Sequence, residues 1–231
     1  APFSDTDKLK TDNKTAEMIK YASNSLLATL ISFSNEIGNL CAKLGDMDAL
    51  EVMRGVHLDK RISPILKNGQ RITPSITSYL EAGCGFGGSC FPKDVKALIS
   101  HGANVGEKMQ LLSSVVDINN DQPKKVLNLL LKHYPELENK KVAILGLAFK
   151  PGTNDMRESP AIPIVNDLLN KKAEITAYDP VAQDEAKKIF GTKKITYSKS
   201  INEVVKDVDA VILLTRWQEF EALPEILNAC K

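Results

Sequence analysis

The periodicity of apolar residues changes once along this chain, near residue 136, and this change limits the folds that it can adopt. Before that point, apolar residues recur at steps of three and four, which is typical of amphipathic helices. After it, short apolar runs alternate with helical segments, which indicates parallel strands joined by helices. The sequence therefore predicts an all-α domain over residues 1–136 and a doubly wound parallel α/β domain over residues 137–231.

The all-α region begins with one long amphipathic helix over about residues 15–44, and Gly45 is expected to end it. The other predicted segments of this region are a helix over residues 47–54, a loop over residues 59–81, a helix from Pro92 and a helical stretch over about residues 105–134. In the second region, the predicted strands are residues 142–147, 174–178 and 210–214, and the predicted helices are residues 162–169 and 185–189.

Charge and hydropathy exclude two classes of partner. Thirty basic and twenty-nine acidic side chains leave a net charge of +1, and no long basic run offers a grip on a phosphate backbone. No apolar stretch approaches the roughly 18 residues that span a bilayer, and the first residues do not resemble a secretory signal. The sequence thus predicts a cytoplasmic protein that binds neither nucleic acid nor membranes.

The four cysteines are Cys41, Cys84, Cys90 and Cys230, and no two of them have Cys-x-x-Cys spacing. Such scattered cysteines argue against a zinc site and against a disulfide scaffold, and they agree with a reducing compartment. We therefore expect no metal site.

Cys90 follows a glycine-dense segment and precedes Pro92, a residue that fits the first turn of a helix. A thiol at a helix N-terminus is favoured as thiolate by the free amides and the helix dipole, which is how a nucleophile is activated. Asp94 would lie on the same helix face, one turn along. The alternative is an inert cysteine buried in a loop, and the four glycines between Gly83 and Gly88 argue against it.

The loop after the first predicted strand resembles a dinucleotide-binding turn only at Gly146. The other two glycines of the Gly-x-Gly-x-x-Gly pattern are missing, which argues against NAD at this loop. Lys150 instead offers a charge to a phosphate or sugar oxygen at the carboxyl end of a strand, and Asp179 stands where an acidic residue would hold a ribose. The alternative is that both are solvated loop charges.

Three segments match one family in the family's own order: AEMIKYASN (residues 16–24), GFGGSCFPKD (residues 85–94) and GLAFKPGTNDMRESP (residues 146–160). The chain resembles the nucleotide-sugar dehydrogenases of the UDP-glucose/GDP-mannose dehydrogenase family, and FPKD after Cys90 is most similar to the UDP-glucose branch. Residues 1–231 do not include two parts of the family pattern: the N-terminal NAD-binding domain and the final strand with an Asp-Gly-Arg-like motif. The resemblance implies the all-α dimerisation domain and most of the Rossmann-like UDP-sugar-binding domain of a larger enzyme.

The resemblance implies a reaction in polysaccharide biosynthesis. Family members oxidise the sugar C6 alcohol of UDP-glucose twice with NAD, giving UDP-glucuronate through a thiohemiacetal and a thioester on the cysteine that Cys90 matches. The residues that match Lys20, Asn24 and Asp94 stabilise the oxyanion and manage protons. The chain alone would be inactive, because NAD binds largely to the N-terminal domain.

The resemblance also assigns binding residues. The implied substrate contacts are Phe86, Gly87, Phe149, Lys150, Arg157 and an arginine that reaches across a dimer interface. DKRI (residues 59–62) makes Arg61 the candidate for that arginine, with Arg71 as a rival. Lys93 and Arg157 are possible contacts to NAD.

The resemblance implies a homodimer formed through the helix at residues 15–44, although the apolar stripe of that helix could equally be intrachain core. Two other functions remain open. The chain could be a non-catalytic module for nucleotide-sugar binding and dimerisation, or it could belong to a GDP-mannose dehydrogenase.

Overall fold

The structure is a computed structural model that describes residues 6–229. Its first part is helical, as the sequence predicts, with helices α1 (Asn13–Leu44), α2 (Ala49–His57), α3 (Phe91–Asn104) and α4 (Gln110–His133). Asp12 caps α1, since its carboxylate accepts the backbone N–H of Thr15 at 3.1 Å. The predicted end of α1 is confirmed, because Gly45 takes a φ of 74° there.

The apolar stripe of α1 does not pack as intrachain core. Five of its residues, Ile19, Leu26, Phe33, Leu40 and Leu44, expose 47% to 60% of their surface. The face that α1 buries carries small and polar residues instead: Ser25, Ala28, Ser32, Ser34, Asn35 and Cys41. The intrachain alternative for the stripe is therefore wrong at these five positions.

The helical stretch predicted over residues 105–134 starts five residues later than expected. The backbone leaves the helix after Asn104, and Gly106 takes a φ of +81° before α4 begins at Gln110. A left-handed residue ends a helix, which explains the break. The loop predicted over residues 59–81 is present, with one 3-10 helix (Ser75–Tyr79) inside it.

The second part of the chain is a four-stranded sheet in the order β3-β2-β1-β4, with every pairing parallel. Its strands are β1 (Lys141–Leu145), β2 (Glu174–Tyr178), β3 (Ile195–Tyr197) and β4 (Ala210–Leu213), and its helices are α5 (Ala161–Asn170), α6 (Gln183–Phe190), α7 (Ile201–Val204) and α8 (Leu223–Ala229). The three predicted strands and two predicted helices are confirmed. The sequence missed β3 and α7, which are only three and four residues long, and also the C-terminal helix α8.

Apolar cores lie on both faces of this sheet. Val142 and Ile144 of β1 face a core that α5 covers, and Leu145 faces a second core with Val204 of α7 and Phe220. Alternate residues of one strand point to opposite faces, so both faces of β1 are buried.

Helix α4 joins the two parts of the molecule. Leu127, in its C-terminal half, belongs to the core between the sheet and α5, as does Leu137. The division at residue 136 remains a prediction.

Among the described residues, no helix is both long enough and apolar enough to cross a bilayer.

Candidate active site

The glycine-rich turn packs tightly against the sheet domain. A Cβ atom on Gly88 would lie 2.7 Å from the Phe149 ring, and one on Gly87 would overlap the carbonyl of Glu158. The N–H of Gly88 donates to the carbonyl of Arg157 at 2.8 Å. Gly88 also has a φ of +79°, which side chains rarely tolerate. Glycine is therefore required here for both backbone conformation and close approach.

Cys90 is the N-cap residue of α3 and its thiol is exposed, as the sequence predicts from Pro92 in the first turn. Asp94 donates its backbone N–H to the Cys90 carbonyl at 2.9 Å, which closes that first turn. Lys93 lies in this first turn, and Arg157 stands beside the glycine-rich turn. Hydrogen bonds to Asp94 and Asp155, respectively, are the main reason that the pKa values of Lys93 and Arg157 are raised.

A charged cluster lies between α1 and the first turn of α3. The buried Asp94 carboxylate accepts hydrogen bonds from Lys20 Nζ, Asn24 Nδ2 and Lys93 Nζ, each at 2.6 Å. Burial raises the pKa of Asp94, but these donors outweigh it and lower the pKa to about 2. Asp94 is therefore ionised at neutral pH, next to two ammonium groups.

A cleft of about 1030 Å³ separates the helical part from the sheet domain. The glycine-rich turn forms one wall, and the chain after β1 and after β4 forms the other. The predicted site residues that line it are Phe86, Gly87, Cys90, Phe149 and Lys150. Lys150 Nζ lies 5.5 Å from the centre of the Phe149 ring. The cleft thus brings a thiol, an aromatic ring and a cation together at the carboxyl edge of a parallel sheet.

The other predicted residues do not line this cleft. Lys20, Asn24, Lys93 and Asp94 form the cluster described above. Arg157 stands beside the glycine-rich turn and pairs with Asp155 at 2.7 Å. Arg61 pairs with Asp59 at the surface, and 90% of its side chain is exposed. Its rival Arg71 instead donates to the carbonyls of Leu58 and Ser63, at 2.9 and 2.8 Å, and so holds its own loop together.

Asp179 is neither a ribose ligand nor a solvated charge, so both interpretations from the sequence are wrong. Its buried carboxylate accepts the Trp217 indole N–H at 3.2 Å and four backbone N–H groups, those of Leu147, Ala148, Val181 and Ala182. The amides after β1, which bind the pyrophosphate in dinucleotide folds, are thus already used. This loop does not fit NAD.

Two sequence profiles, each describing one domain of the same family, match most of the chain. Residues 14–121 match the central domain of the UDP-glucose/GDP-mannose dehydrogenase family, and residues 143–230 match its UDP binding domain. The chain belongs to the UDP-glucose/GDP-mannose dehydrogenase family. The two matched domains correspond to the helical part and to the parallel sheet domain of the structure.

Relatives within the UDP-glucose/GDP-mannose dehydrogenase family include UDP-glucose 6-dehydrogenase YwqF of Bacillus subtilis. It is 44% identical over 216 residues, which are 93% of this chain and 46% of the relative. UDP-glucose 6-dehydrogenase AglM of Haloferax volcanii is 40% identical over 96% of this chain and 48% of its own length. The chain thus spans about half the length of the curated relatives it matches.

Solved structures of the family share this fold. A UDP-glucose dehydrogenase from Pyrobaculum islandicum superposes with a TM-score of 0.84 at 37% identity, over 95% of this chain and 48% of its own. A GDP-mannose dehydrogenase from Pseudomonas aeruginosa gives 0.56 at 32% identity, over 90% of this chain and 46% of its own. Both are similar over the helical part and the sheet domain together.

Sequence reasoning missed several cleft residues of this family member. Glu81 and Arg216 form an ion pair between the loop before the glycine-rich turn and the chain after β4. Burial raises the pKa of Cys84 to about 11, against a smaller opposite effect of Arg216. Trp217 also lines the cleft. The ion pair joins positions 135 residues apart, and no local sequence signal marks it.

Proposed function

We propose that this chain is the central and nucleotide-sugar-binding part of an NAD-dependent UDP-glucose 6-dehydrogenase. One observation carries the proposal: the Cys90 thiol lies at the N-terminus of α3 and lines a cleft shared with Phe149 and Lys150 of the sheet domain. Relatives that are 40% to 44% identical bear that enzyme's name. The sheet, with helices on both faces, supports a Rossmann-like UDP-sugar-binding domain.

In this reaction NAD accepts the hydrides, and the chain's own residues carry out the covalent steps. The Cys90 thiolate adds to the C6 carbon of the sugar aldehyde, and the carbonyl oxygen takes up a proton to give a thiohemiacetal. Once that carbon is oxidised to a thioester, water adds to it. The C–S bond then breaks, which releases UDP-glucuronate and returns the thiolate. A free thiol is essential to these steps, which agrees with a reducing compartment such as the cytoplasm.

The charged cluster supplies the polar groups for these steps. Lys20 and Asn24 are the proposed donors to the oxyanion that develops when the thiolate or water attacks carbon. The ionised Asp94 holds both of them at 2.6 Å and, through Lys20, manages protons. Lys93, in the same helix turn as Cys90, and Arg157, beside the glycine-rich turn, are the candidate contacts to NAD.

The nucleotide sugar is proposed to lie along the cleft. Lys150 binds the diphosphate, Phe149 contacts the sugar, and the turn with Phe86 and Gly87 forms the opposite wall. Arg157 stands at the rim, next to Gly88.

We further propose that two copies of the chain form a homodimer through α1. The stripe of exposed apolar side chains, Ile19, Leu26, Phe33, Leu40 and Leu44, supports this, because such a surface is costly in water. Arg61 is exposed and outside its own cleft, and we propose that it exchanges its surface pair with Asp59 for the cleft of the partner subunit. Arg71 is the weaker candidate, because its guanidinium holds its own loop together through two backbone carbonyls.

Two observations weigh against the other candidate functions. The GDP-mannose dehydrogenase superposes with a TM-score of 0.56, against 0.84 for the UDP-glucose dehydrogenase. A pure binding module has no use for an exposed thiol one helical turn from an ionised carboxylate with two ammonium partners.

Calorimetric titration tests the proposal on the chain itself. We expect UDP-glucose to bind more tightly than GDP-mannose, and Lys150→Ala to weaken UDP-glucose binding about tenfold through loss of a diphosphate contact. Lys140→Ala is the matched control, since Lys140 precedes the opposite end of β1 and pairs with Asp209. Tighter binding of GDP-mannose would favour the alternative enzyme, and binding of neither sugar nucleotide would overturn the proposal.

A further inference from the structure

The side chain of Asn119, on α4, is hydrogen-bonded twice to the backbone of the glycine-rich turn. Its Oδ1 accepts the N–H of Phe86 at 2.7 Å, and its Nδ2 donates to the Phe86 carbonyl at 3.0 Å. The Asn119 side-chain amide thus satisfies both the N–H and the C=O of Phe86, which lies in an irregular segment outside the helices and strands. We call this pair of hydrogen bonds the Asn119 clamp.

The Asn119 clamp requires a glycine at position 85 of the turn. A Cβ atom on Gly85 would lie 2.8 Å from Asn119 Oδ1, and Gly85 has a φ of +100°. Two more amides hold Gly83: its carbonyl accepts from Gln122 Nε2 at 2.9 Å, and its N–H donates to Asn35 Oδ1 at 2.7 Å. The turn that leads to Cys90 is therefore fixed from the helical side at two residues.

The same helix is anchored in the sheet domain. Beyond Pro123, α4 continues to Leu127, which lies in the core between the sheet and α5. The far end of the turn meets this domain directly, through Gly88 and the carbonyl of Arg157. The clamp therefore fixes the turn relative to the domain that carries Phe149 and Lys150.

We infer that Asn119 is a positioning residue for the reaction at Cys90, and this inference rests on the proposed function. It acts through the backbone of Phe86 and does not touch the substrate. By holding the turn, it keeps Phe86, Gly87 and Cys90 on the wall of the cleft where the sugar lies. The nucleotide, bound on the opposite wall, does not depend on it.

Amide hydrogen exchange of the full chain tests the clamp without any ligand. We expect Asn119→Ala to speed exchange at the Phe86 N–H about tenfold or more, because its acceptor is lost. Asn119→Asp keeps an acceptor and removes the donor, so exchange at Phe86 should stay slow. Asn120→Ala, an exposed neighbour on the same helix, is the matched control and should change nothing. Unchanged exchange at Phe86 in Asn119→Ala would overturn the clamp.

Titration with UDP and with UDP-glucose tests the positioning role. In Asn119→Ala we expect UDP-glucose to bind about tenfold more weakly and UDP to bind within about twofold of the wild type. In Asn119→Asp, the affinity for UDP-glucose should lie between that of Asn119→Ala and that of the wild type. Equal losses for both ligands, or no loss for either, would overturn the positioning role while leaving the proposed function intact. If the wild-type chain binds neither ligand, the proposed function fails and the positioning role with it.

Discussion

Lys20 Nζ donates to Asp94 Oδ2 at 2.6 Å, and this contact joins α1 to the helix turn that carries Cys90. The carboxylate is buried and ionised, while the Lys20 side chain remains more than half exposed. The polar groups proposed for catalysis thus also hold two helices together.

Replacing Asp94 with Asn should destabilise the chain. The variant loses the buried charge and keeps only one of the two acceptor oxygens, so either Lys20 or Lys93 faces an amide NH2 group that cannot accept its hydrogen bond. We expect the free energy of unfolding at neutral pH to fall by on the order of 2 kcal/mol, measured by urea denaturation. Asp117→Asn, at an exposed position of α4, is the control and should show no measurable change.

The contribution of Asp94 to the free energy of unfolding should decrease as the pH is lowered. Its pKa is lowered from 3.8 to about 2, so its contribution to stability is complete above the ordinary value. That contribution is lost as the pH falls from about 4 towards 2. The difference between wild type and Asp94→Asn should therefore be constant from neutral pH to about pH 5 and shrink below pH 4. A difference that grows on acidification would contradict this account.

Adding one methyl group to Gly88 should cost more than the strain of its backbone. Gly88 and Gly152 share a φ of +79°, but a Cβ atom would meet the Phe149 ring only at Gly88, and Gly152 has open space. We expect Gly152→Ala to lose about 1 kcal/mol in urea denaturation. Gly88→Ala should lose roughly 1–3 kcal/mol more, because the ring must move. Equal losses would show that the turn does not press on Phe149.

Removing the Asp179 carboxylate should destabilise the loops that follow β1 and β2 in the sheet domain. Four backbone N–H groups and the Trp217 indole would lose their acceptor, so we expect Asp179→Ala to lose on the order of 3 kcal/mol or more. Asp184→Ala, which breaks only a surface ion pair with Lys187, should leave stability unchanged. Emission of Trp217, the single tryptophan, follows the unfolding. Full stability of Asp179→Ala would restore a binding role for this carboxylate.

Residues close to Cys90 in the sequence were enough to predict the local backbone structure around it. Glycines and Pro92 adjacent in sequence specify a tight turn and a helix start, and both are found. The periodicity of α1 likewise predicted the helix and its end at Gly45. It did not predict which face is buried, because an apolar stripe does not reveal whether the same chain or another covers it.

Long-range polar contacts could not be predicted from residue patterns. Asn119 and Phe86 are 33 positions apart, and nothing in a helical asparagine shows that it will bind the backbone of a distant turn. Lys20 and Asn24 became candidates only through the family resemblance. Asp179 was misinterpreted because a carboxylate after a strand looks the same in sequence whether it binds a ligand or caps loops.

The central claim is that Cys90 is a nucleophile in a cleft that binds a UDP-sugar. Its most direct test is the rate at which each cysteine of the chain reacts with iodoacetamide at neutral pH, resolved by peptide mass spectrometry. Cys41 and Cys84 are internal references, since Cys41 is buried and the pKa of Cys84 is raised to about 11. Cys230, outside the described residues, is a third.

We expect Cys90 to react faster than the other three cysteines, and saturating UDP-glucose to slow it about tenfold or more while leaving Cys41 unchanged. GDP-mannose at the same concentration should protect Cys90 less. Equal reactivity of all four cysteines, with no effect of UDP-glucose on Cys90, would contradict the account.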